Sequence, residues 1–233
     1  MLGEARRINV YRAPSWQDSA SSPRPVLYMP DGGLGEDFLH VAGLLQVGIG
    51  NGTLRPLLLV GIENTQRRRD LTGPSDDPRD LAIAPRVGGS AAFRAFLRDE
   101  LFPAIAARWP VTRERAIVGE SLAGLFVVET LFEEPTLFDT YLAFDPSLWW
   151  RHAEFVGRTP PRLDARKRLA LAHSSEPELA RLTRALADSL ARRAPANLTL
   201  DCEAYPGETH ATIYHPAAIA AFRRAFAADT ASH

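Results

Sequence analysis

Cysteine is almost absent from this chain of 233 residues, in which Cys202 is the single example. One cysteine excludes an intrachain disulfide and any metal site built from several thiolates. Cys202 lies in an alternating segment, residues 198–204, where we expect it to act as a small apolar filler. The fold must therefore be held together by side-chain packing.

Long apolar runs and an excess of charge are also lacking. No segment reaches the roughly 18 apolar residues of a membrane span, and residues 1–12 carry charges without the apolar stretch of a secretory signal. The net charge is −1, with scattered basic residues, which excludes a broad positive field for nucleic acid or an anionic membrane. We expect a cytoplasmic protein. If a leader peptide has been removed from the chain, the expected location is instead the periplasm.

Signatures of metal and cofactor binding are missing as well. The sequence has no cluster of Cys and His, no glycine-rich loop followed by Lys-Ser/Thr, and no Gly-x-Gly-x-x-Gly opening a helix. We therefore expect no metal and no cofactor. The one basic cluster, Arg67-Arg68-Arg69, is predicted to be a solvated loop.

What is present is an ordinary globular composition with 45% hydrophobic and 24% charged residues. The length predicts a single domain over residues 1–233, with residues 1–5 and 228–233 frayed. Apolar, β-rich runs predict strands at 7–12, 25–29, 56–62, 115–118, 140–144, 168–173 and 198–205. Helical spacing is found between them, at 36–45, 89–109, 122–132, 177–193 and 216–227.

This alternation predicts an α/β fold, a three-layer α/β/α sandwich around a mostly parallel sheet. Ligands in such sheets bind beyond the carboxyl ends of the strands. The loops that follow the strands are therefore where catalytic residues are expected.

Ser121 is the candidate nucleophile, because it lies directly between an apolar strand and an apolar helix in Gly119-Glu120-Ser121-Leu122-Ala123-Gly124. A nucleophile elbow has this context, and its sharp turn requires small residues such as Gly119 and Ala123 on either side. The serine needs a base to remove its proton, and histidine suits that task at neutral pH. His210 is the candidate base because it lies in the loop after the last strand; nearby His215 is the rival.

The carboxylate partner of the histidine is left open among three residues. Glu176 is preferred because it follows the strand at 168–173, where the acid is expected. Asp145, one strand earlier, is the alternative, whereas Glu178 is expected inside the next helix after Pro177. For the oxyanion, the backbone amides of Leu122 and of the Asp31-Gly32-Gly33 loop are the expected donors.

Several segments together resemble the esterase D family, in particular its branch of siderophore esterases of the enterobactin-hydrolase type. The elbow is one of them. The others are Arg7-Ile8-Asn9-Val10-Tyr11, Val26-Leu27-Tyr28-Met29-Pro30-Asp31-Gly32-Gly33, Gly61-Ile62-Glu63-Asn64-Thr65 with Arg69-Asp70-Leu71-Thr72, and Asp145-Pro146-Ser147-Leu148-Trp149-Trp150. They occur in the family's order, from about residue 5 to residue 225.

The resemblance implies an α/β-hydrolase fold, Ser121 as nucleophile, His210 as base, and Gly33 and Leu122 as oxyanion donors. It also implies a substrate-facing Arg69. The chain departs from the family pattern at Ala123, Glu120 and Asp145, positions where relatives often carry other residues. Some siderophore esterases use a serine-histidine pair without a strong acid, so the carboxylate stays open.

Hydrolysis of a small-molecule ester through an acyl-enzyme is the first functional hypothesis. A siderophore-type lactone or a small acyl ester would serve as substrate, with Trp149 and Trp150 as a possible aromatic wall. The alternatives are a catalytically silent binding module and, because the family is broad, an acyltransferase or thioesterase. Oligomeric state and substrate identity are not predicted.

Overall fold

A seven-stranded sheet forms the centre of the residues that the computed structural model describes, 2–16, 18–193 and 196–228. Its order is β1-β3-β2-β4-β5-β6-β7, with β1 antiparallel to β3 and every other neighbouring pair parallel. The strands are β1 (Ile8–Arg12), β2 (Arg24–Pro30), β3 (Leu58–Ile62), β4 (Val111–Glu120), β5 (Thr140–Phe144), β6 (Lys167–His173) and β7 (Leu198–Ala204). The predicted strands and the mostly parallel α/β arrangement are confirmed.

Helices connect the strands and cover both faces of the sheet. They are α1 (Phe38–Gly50), α2 (Arg67–Asp70), α3 (Pro78–Leu81), α4 (Ser90–Phe96), α5 (Phe102–Arg108), α6 (Leu122–Glu133), α7 (Trp150–Gly157), α8 (Pro177–Arg193) and α9 (Tyr214–Ala225). A π-helical turn, Leu97–Leu101, joins α4 to α5 within the helix predicted at 89–109. The short helices α2, α3 and α7 are not predicted by the hydrophobic pattern.

Alternating side chains of the central strands fill two apolar layers, one on each face. One layer contains Val26 and Tyr28 of β2 with Ile117 of β4, and packs against the helices between β3 and β4 and against α6. The other contains Leu27 of β2 and Val118 of β4, and packs against α1 and α9. Strands buried on both faces are typical of parallel sheets, which explains why these runs are continuously apolar.

One expectation about an exposed position is wrong. Cys202 is exposed rather than a core filler, because β7 is the edge strand of the sheet. In the amino-terminal segment predicted to fray, the carboxylate of Glu4 hydrogen-bonds to Arg69 and Thr65. Of the ends predicted to fray, residue 1 and residues 229–233 lie outside the described residues.

A buried ion pair ties α6, the helix that follows Ser121, to α4. Nη1 of Arg94 donates to Oε1 of Glu129 at 2.7 Å, and both side chains are about 95% buried. Ser90 donates to the same carboxylate. Removal of Glu129 would leave the buried charge of Arg94 with its longer contact to Glu134, 3.2 Å from Nε, and an undercompensated buried charge is more costly than loss of the pair's net attraction.

We therefore expect Glu129→Ala to lower the free energy of unfolding by about 3–5 kcal/mol. The matched control is Glu133→Ala on the same helix, because Glu133 pairs with Arg158 in a partly exposed position and should cost about 1 kcal/mol or less. Urea denaturation followed by circular dichroism measures both changes. Equal midpoints for the two variants would contradict the prediction.

Candidate active site

Ser121 lies at the turn between β4 and α6, where the chain reverses sharply. Its backbone φ of 60° and ψ of −122° are unfavourable for a residue with a side chain. The turn is held by backbone hydrogen bonds from Ser121 N to Phe144 O and from Ser147 N to Ser121 O, each 3.0 Å. Gly119 lies so close to Ala123 that a Cβ there would be 2.6 Å from its backbone. The small residues around the serine are therefore required by the turn.

His210 lies in the loop between β7 and α9, as the chain order predicts. Its Nε2 is 3.1 Å from Oγ of Ser121. The backbone carbonyl of Glu208 accepts hydrogen bonds from Ser175 N and Ser175 Oγ, so the loop is attached to the end of β6. The rival His215 instead stacks on His40, with 3.0 Å between their ring nitrogens.

Asp145 is the carboxylate that the structure places against the imidazole, and not Glu176. Oδ2 of Asp145 is 3.1 Å from Nδ1 of His210, while its Oδ1 accepts the Ser174 amide at 2.7 Å. Glu176 is exposed, and its backbone amide donates to Ser174 Oγ. Glu178 is exposed within α8, as expected. The preference for Glu176 is corrected, because β5 and β6 are neighbours and the residue that follows β5 reaches the histidine loop.

The charges in this group of side chains reinforce one another. Burial opposes ionisation of Asp145, but hydrogen bonds from His210 and Ser174 outweigh it and lower the pKa of the carboxyl. The hydrogen bond to Asp145, helped by the nearby charge of Glu120, raises the pKa of His210 against the effect of burial. The arrangement therefore favours a positive charge on the imidazole, which is the form a base acquires when it takes a proton.

Two further side chains near Ser121 and His210 were not singled out as site residues by the sequence. Oε1 of Glu120, the residue before the serine, is 3.1 Å from Nδ1 of His210. Oγ of Ser147 is 3.5 Å from Oγ of Ser121. Their positions in the segments that carry the family resemblance were the available signal, because those segments meet at one edge of the sheet.

The loop after β2 carries Gly33, one of the expected oxyanion donors. Its amide donates to Oε2 of Glu36 at 2.7 Å, and Oε1 of the same carboxylate accepts from Asn64 at 2.8 Å. The Gly33 amide therefore binds an anionic oxygen of the protein itself. Leu122, the other expected donor, is the first residue of α6, where amides lack a partner inside the helix.

Arg67 and Arg69 differ in their surroundings. Arg69 donates to Glu4 and Asp70, so its guanidinium pairs with two carboxylates of the protein and not with the Ser121 loop. Arg67 forms a bidentate contact with Asp31, with distances of 2.7 and 2.8 Å, and so supports the loop that bears Gly33. The structure thus gives no evidence for a substrate-facing Arg69. Arg67 is the arginine of this cluster that contacts the loop bearing Gly33.

Trp149 and Trp150 are also placed differently. Trp150 is buried, and its indole nitrogen donates to the carbonyl of Gly73 at 3.0 Å. Trp149 is partly buried and lines a cavity of about 360 Å³ together with Arg79, His152 and Arg181. Ser121 and His210 are not among the described residues that line this cavity. Of the two tryptophans, Trp149 is the one that lines this cavity, and the structure does not bring it to Ser121 and His210 there.

No group of three or more His, Cys, Asp or Glu side chains within the described ranges is arranged to hold a metal ion. In the same part of the chain, no helix has the length and apolarity needed to cross a membrane.

The parallel sheet, the strained serine turn and the histidine after the last strand define an α/β-hydrolase fold. The chain belongs to the esterase family described as "Putative esterase", whose model matches residues 1–190. It is 30% identical over 197 residues to the siderophore triacetylfusarinine C esterase of Aspergillus fumigatus, a match covering 76% of this chain and 62% of the relative. It is 33% identical over 119 residues to the ferri-bacillibactin esterase BesA of Bacillus subtilis, covering 48% of this chain and 39% of that protein.

Among solved structures, an IroE-like serine hydrolase from Shewanella oneidensis superimposes with a TM-score of 0.82 and 28% identity, covering 97% of this chain and 77% of that one. The matches span less than two thirds of the two curated esterases. These comparisons show the family and the fold of this chain. The substrates in the relatives' names are the substrates of those proteins.

The close packing at the serine turn generates a prediction. Gly119→Ala should lower esterase turnover at least about 100-fold, because even a 1 Å displacement of a reacting group has an effect of this size. The control is Gly43→Ala in α1, where an added Cβ meets nothing within 4 Å, and it should leave turnover unchanged. p-Nitrophenyl butyrate hydrolysis and thermal denaturation measure both variants. Full activity in Gly119→Ala would show that the turn tolerates a larger residue.

Proposed function

We propose that this protein is a serine carboxylic-ester hydrolase that acts through an acyl-enzyme, with a siderophore-type ester as substrate. The observation that carries the proposal is a continuous series of contacts from Ser121 Oγ to His210 Nε2 and from His210 Nδ1 to Asp145 Oδ2, each 3.1 Å long. Such a series can remove a proton from the serine and stabilise the resulting charge.

The first half of the reaction uses His210 as general base. Nε2 accepts the proton of Ser121 while Oγ attacks the ester carbonyl, and Nδ1–H donates to Asp145, which selects the tautomer with a free Nε2. The negative oxygen of the tetrahedral intermediate is stabilised by the amides of Leu122 and Gly33. Because Glu36 occupies the Gly33 amide in the free protein, its carboxylate must move aside when substrate binds.

The second half of the reaction reverses the proton transfer. His210 donates the proton to the leaving alcohol as the carbon–oxygen bond breaks, and the acyl group remains on Ser121. A water molecule then loses a proton to Nε2 and attacks the acyl-enzyme. Nε2 passes that proton to Oγ of Ser121 as the acyl–oxygen bond breaks, which releases the carboxylic acid and restores the serine.

The substrate class is inferred from the relatives together with the site. The relatives named above act, by their names, on ester-containing siderophores, and the family resemblance implies the same branch. Hydrolysis of one ester bond in a siderophore-type lactone, ferric or iron-free, should give a linear product. Its mass in the spectrum should be that of the intact lactone plus one water. A panel of small acyl esters tested beside the siderophores determines which class the enzyme prefers.

We expect a fluorophosphonate probe to label Ser121, because only an activated serine reacts with it at a useful rate. Peptide mapping identifies the labelled residue. Ser121→Ala should abolish labelling and reduce p-nitrophenyl acetate turnover by about a thousandfold or more. Labelling at another residue, or turnover that persists in the alanine variant, would overturn the assignment; no serine-dependent turnover at all would indicate a binding module.

Exchange of the two candidate acids generates a second expectation. Asp145→Asn should lower kcat by about a hundredfold, the low end of what general acid–base catalysis contributes, because the amide no longer stabilises the imidazolium. Glu176→Gln, an equal change at an exposed position nearby, should alter kcat by less than about twofold. Steady-state kinetics on one chromogenic ester compares them. A larger loss for Glu176→Gln would restore Glu176 as the acid.

A further inference from the structure

Two carboxylates, and not one, contact the same nitrogen of His210. Oε1 of Glu120 and Oδ2 of Asp145 are each 3.1 Å from Nδ1. Nδ1 can carry one hydrogen, and of the two carboxylates only Asp145 also meets it with hydrogen-bond geometry. The mechanism described above uses Asp145 and has no task for Glu120.

Glu120 lies in a mostly buried position, where a carboxylate without a partner would be energetically unfavourable. Its side chain is 17% exposed, and Oε1 is buried without a hydrogen-bond partner among the described residues. A buried carboxylate lacking hydrogen bonds is costly unless a positive charge lies nearby. The only atom at ion-pair distance from this oxygen in the described structure is Nδ1 of His210.

Titratable groups from several neighbouring elements surround Glu120. They are His210 in the loop before α9, Arg67 in α2, Asp145 after β5 and Asp31 after β2, with the buried phenol of Tyr214 in α9. Burial is the largest influence and raises the pKa of Glu120 to about 7, although the charges of His210 and Arg67 oppose it. A positive charge on the neighbouring imidazole favours the ionised form of this carboxyl.

We propose that Glu120 is a positioning residue for the reaction, a second carboxylate that stabilises the His210 imidazolium and can replace Asp145 as partner of Nδ1. This inference rests on the proposed function. Asp145 is held by Ser174 and keeps the hydrogen bond, whereas Oε1 of Glu120 supplies charge without one. A small shift of the imidazole, or loss of Asp145, leaves Glu120 within reach of the same hydrogen.

The proposal predicts how substitutions combine. Asp145→Asn alone should keep part of its activity because Glu120 takes over. Glu120→Gln alone should lower kcat on the order of tenfold with little change in KM, because the charge is needed only when His210 is protonated. The double variant should lose more than the product of the two single losses, as expected for groups that substitute for each other.

The pH dependence has a definite sign. Ionised Glu120 raises the pKa of His210, and activity disappears on the acid side as His210 becomes protonated in the free enzyme. Glu120→Gln removes the negative charge, so the acid limb of kcat/KM should move to lower pH. Glu120→Asp retains the charge, and its acid limb should stay closer to that of the wild type.

The experiment compares wild type, Glu120→Gln, Glu120→Asp, Asp145→Asn and the double variant in turnover, in pH profile and in NMR titration of the His210 ring, assigned with His210→Gln. The matched control is Glu114→Gln on the same strand, where Glu114 pairs with Arg55 in a partly exposed position. It should change neither the acid limb nor the His210 titration. Thermal denaturation confirms that each variant is folded.

The expected result is a lower His210 titration midpoint in Glu120→Gln, a similar shift of the acid limb and a more than multiplicative loss in the double variant. An unchanged midpoint with losses that simply multiply would overturn the proposal. The titration does not depend on catalysis: if Ser121 shows no turnover but the midpoint still shifts, the proposed function fails while the contact between Glu120 and His210 stands.

Discussion

The contact between Ser121 Oγ and His210 Nε2 joins residues that are 89 positions apart in the chain, and the candidate site depends on it. It is possible because β2, β4, β5, β6 and β7 run parallel, so their following loops meet at one edge of the sheet. Asp31, Ser121 and Asp145 each follow a strand there, with φ values of 56°, 60° and 39°. Such backbone strain persists only where packing enforces it, and here the two apolar layers of the sheet do so.

The same edge of the sheet is rich in carboxylates, three of which have distinct principal partners, while Glu120 shares His210 with Asp145. Asp31 pairs with Arg67, Glu36 accepts from the Gly33 amide, and Asp145 receives the hydrogen bond of His210. Asp145 therefore keeps negative charge close to the imidazole, and Glu36 occupies the Gly33 amide, which is the proposed oxyanion donor. Under the proposed mechanism, a substrate carbonyl must compete with the Glu36 carboxylate for the Gly33 amide, whereas Ser121 and His210 are already in contact.

The corrections to the expected site share one cause. Glu176, Asp145 and Glu120 are all acids placed after or at the end of a strand, and a linear pattern does not distinguish which of them reaches the imidazole. Tertiary contacts decide it: Glu120 ends β4 and Asp145 directly follows β5, and both reach Nδ1 of His210, whereas Glu176 lies three residues beyond β6 and is exposed. Arg67 and Arg69 are two residues apart in a helix of four residues, and their side chains consequently face different carboxylates.

The α/β fold, the seven strands and the positions of Ser121 and His210 can be predicted from the amino-acid sequence because each depends on local pattern: continuous apolar runs, small residues around a sharp turn, and the order of loops along the chain. Three features require the folded arrangement: which carboxylates touch His210, the contact between Glu36 and the Gly33 amide, and the exposure of Cys202. The contacts depend on distances of about 3 Å between groups from separate strands and loops. Hydrogen-bond and ion-pair geometry sets these distances, and the periodicity of the sequence does not encode them.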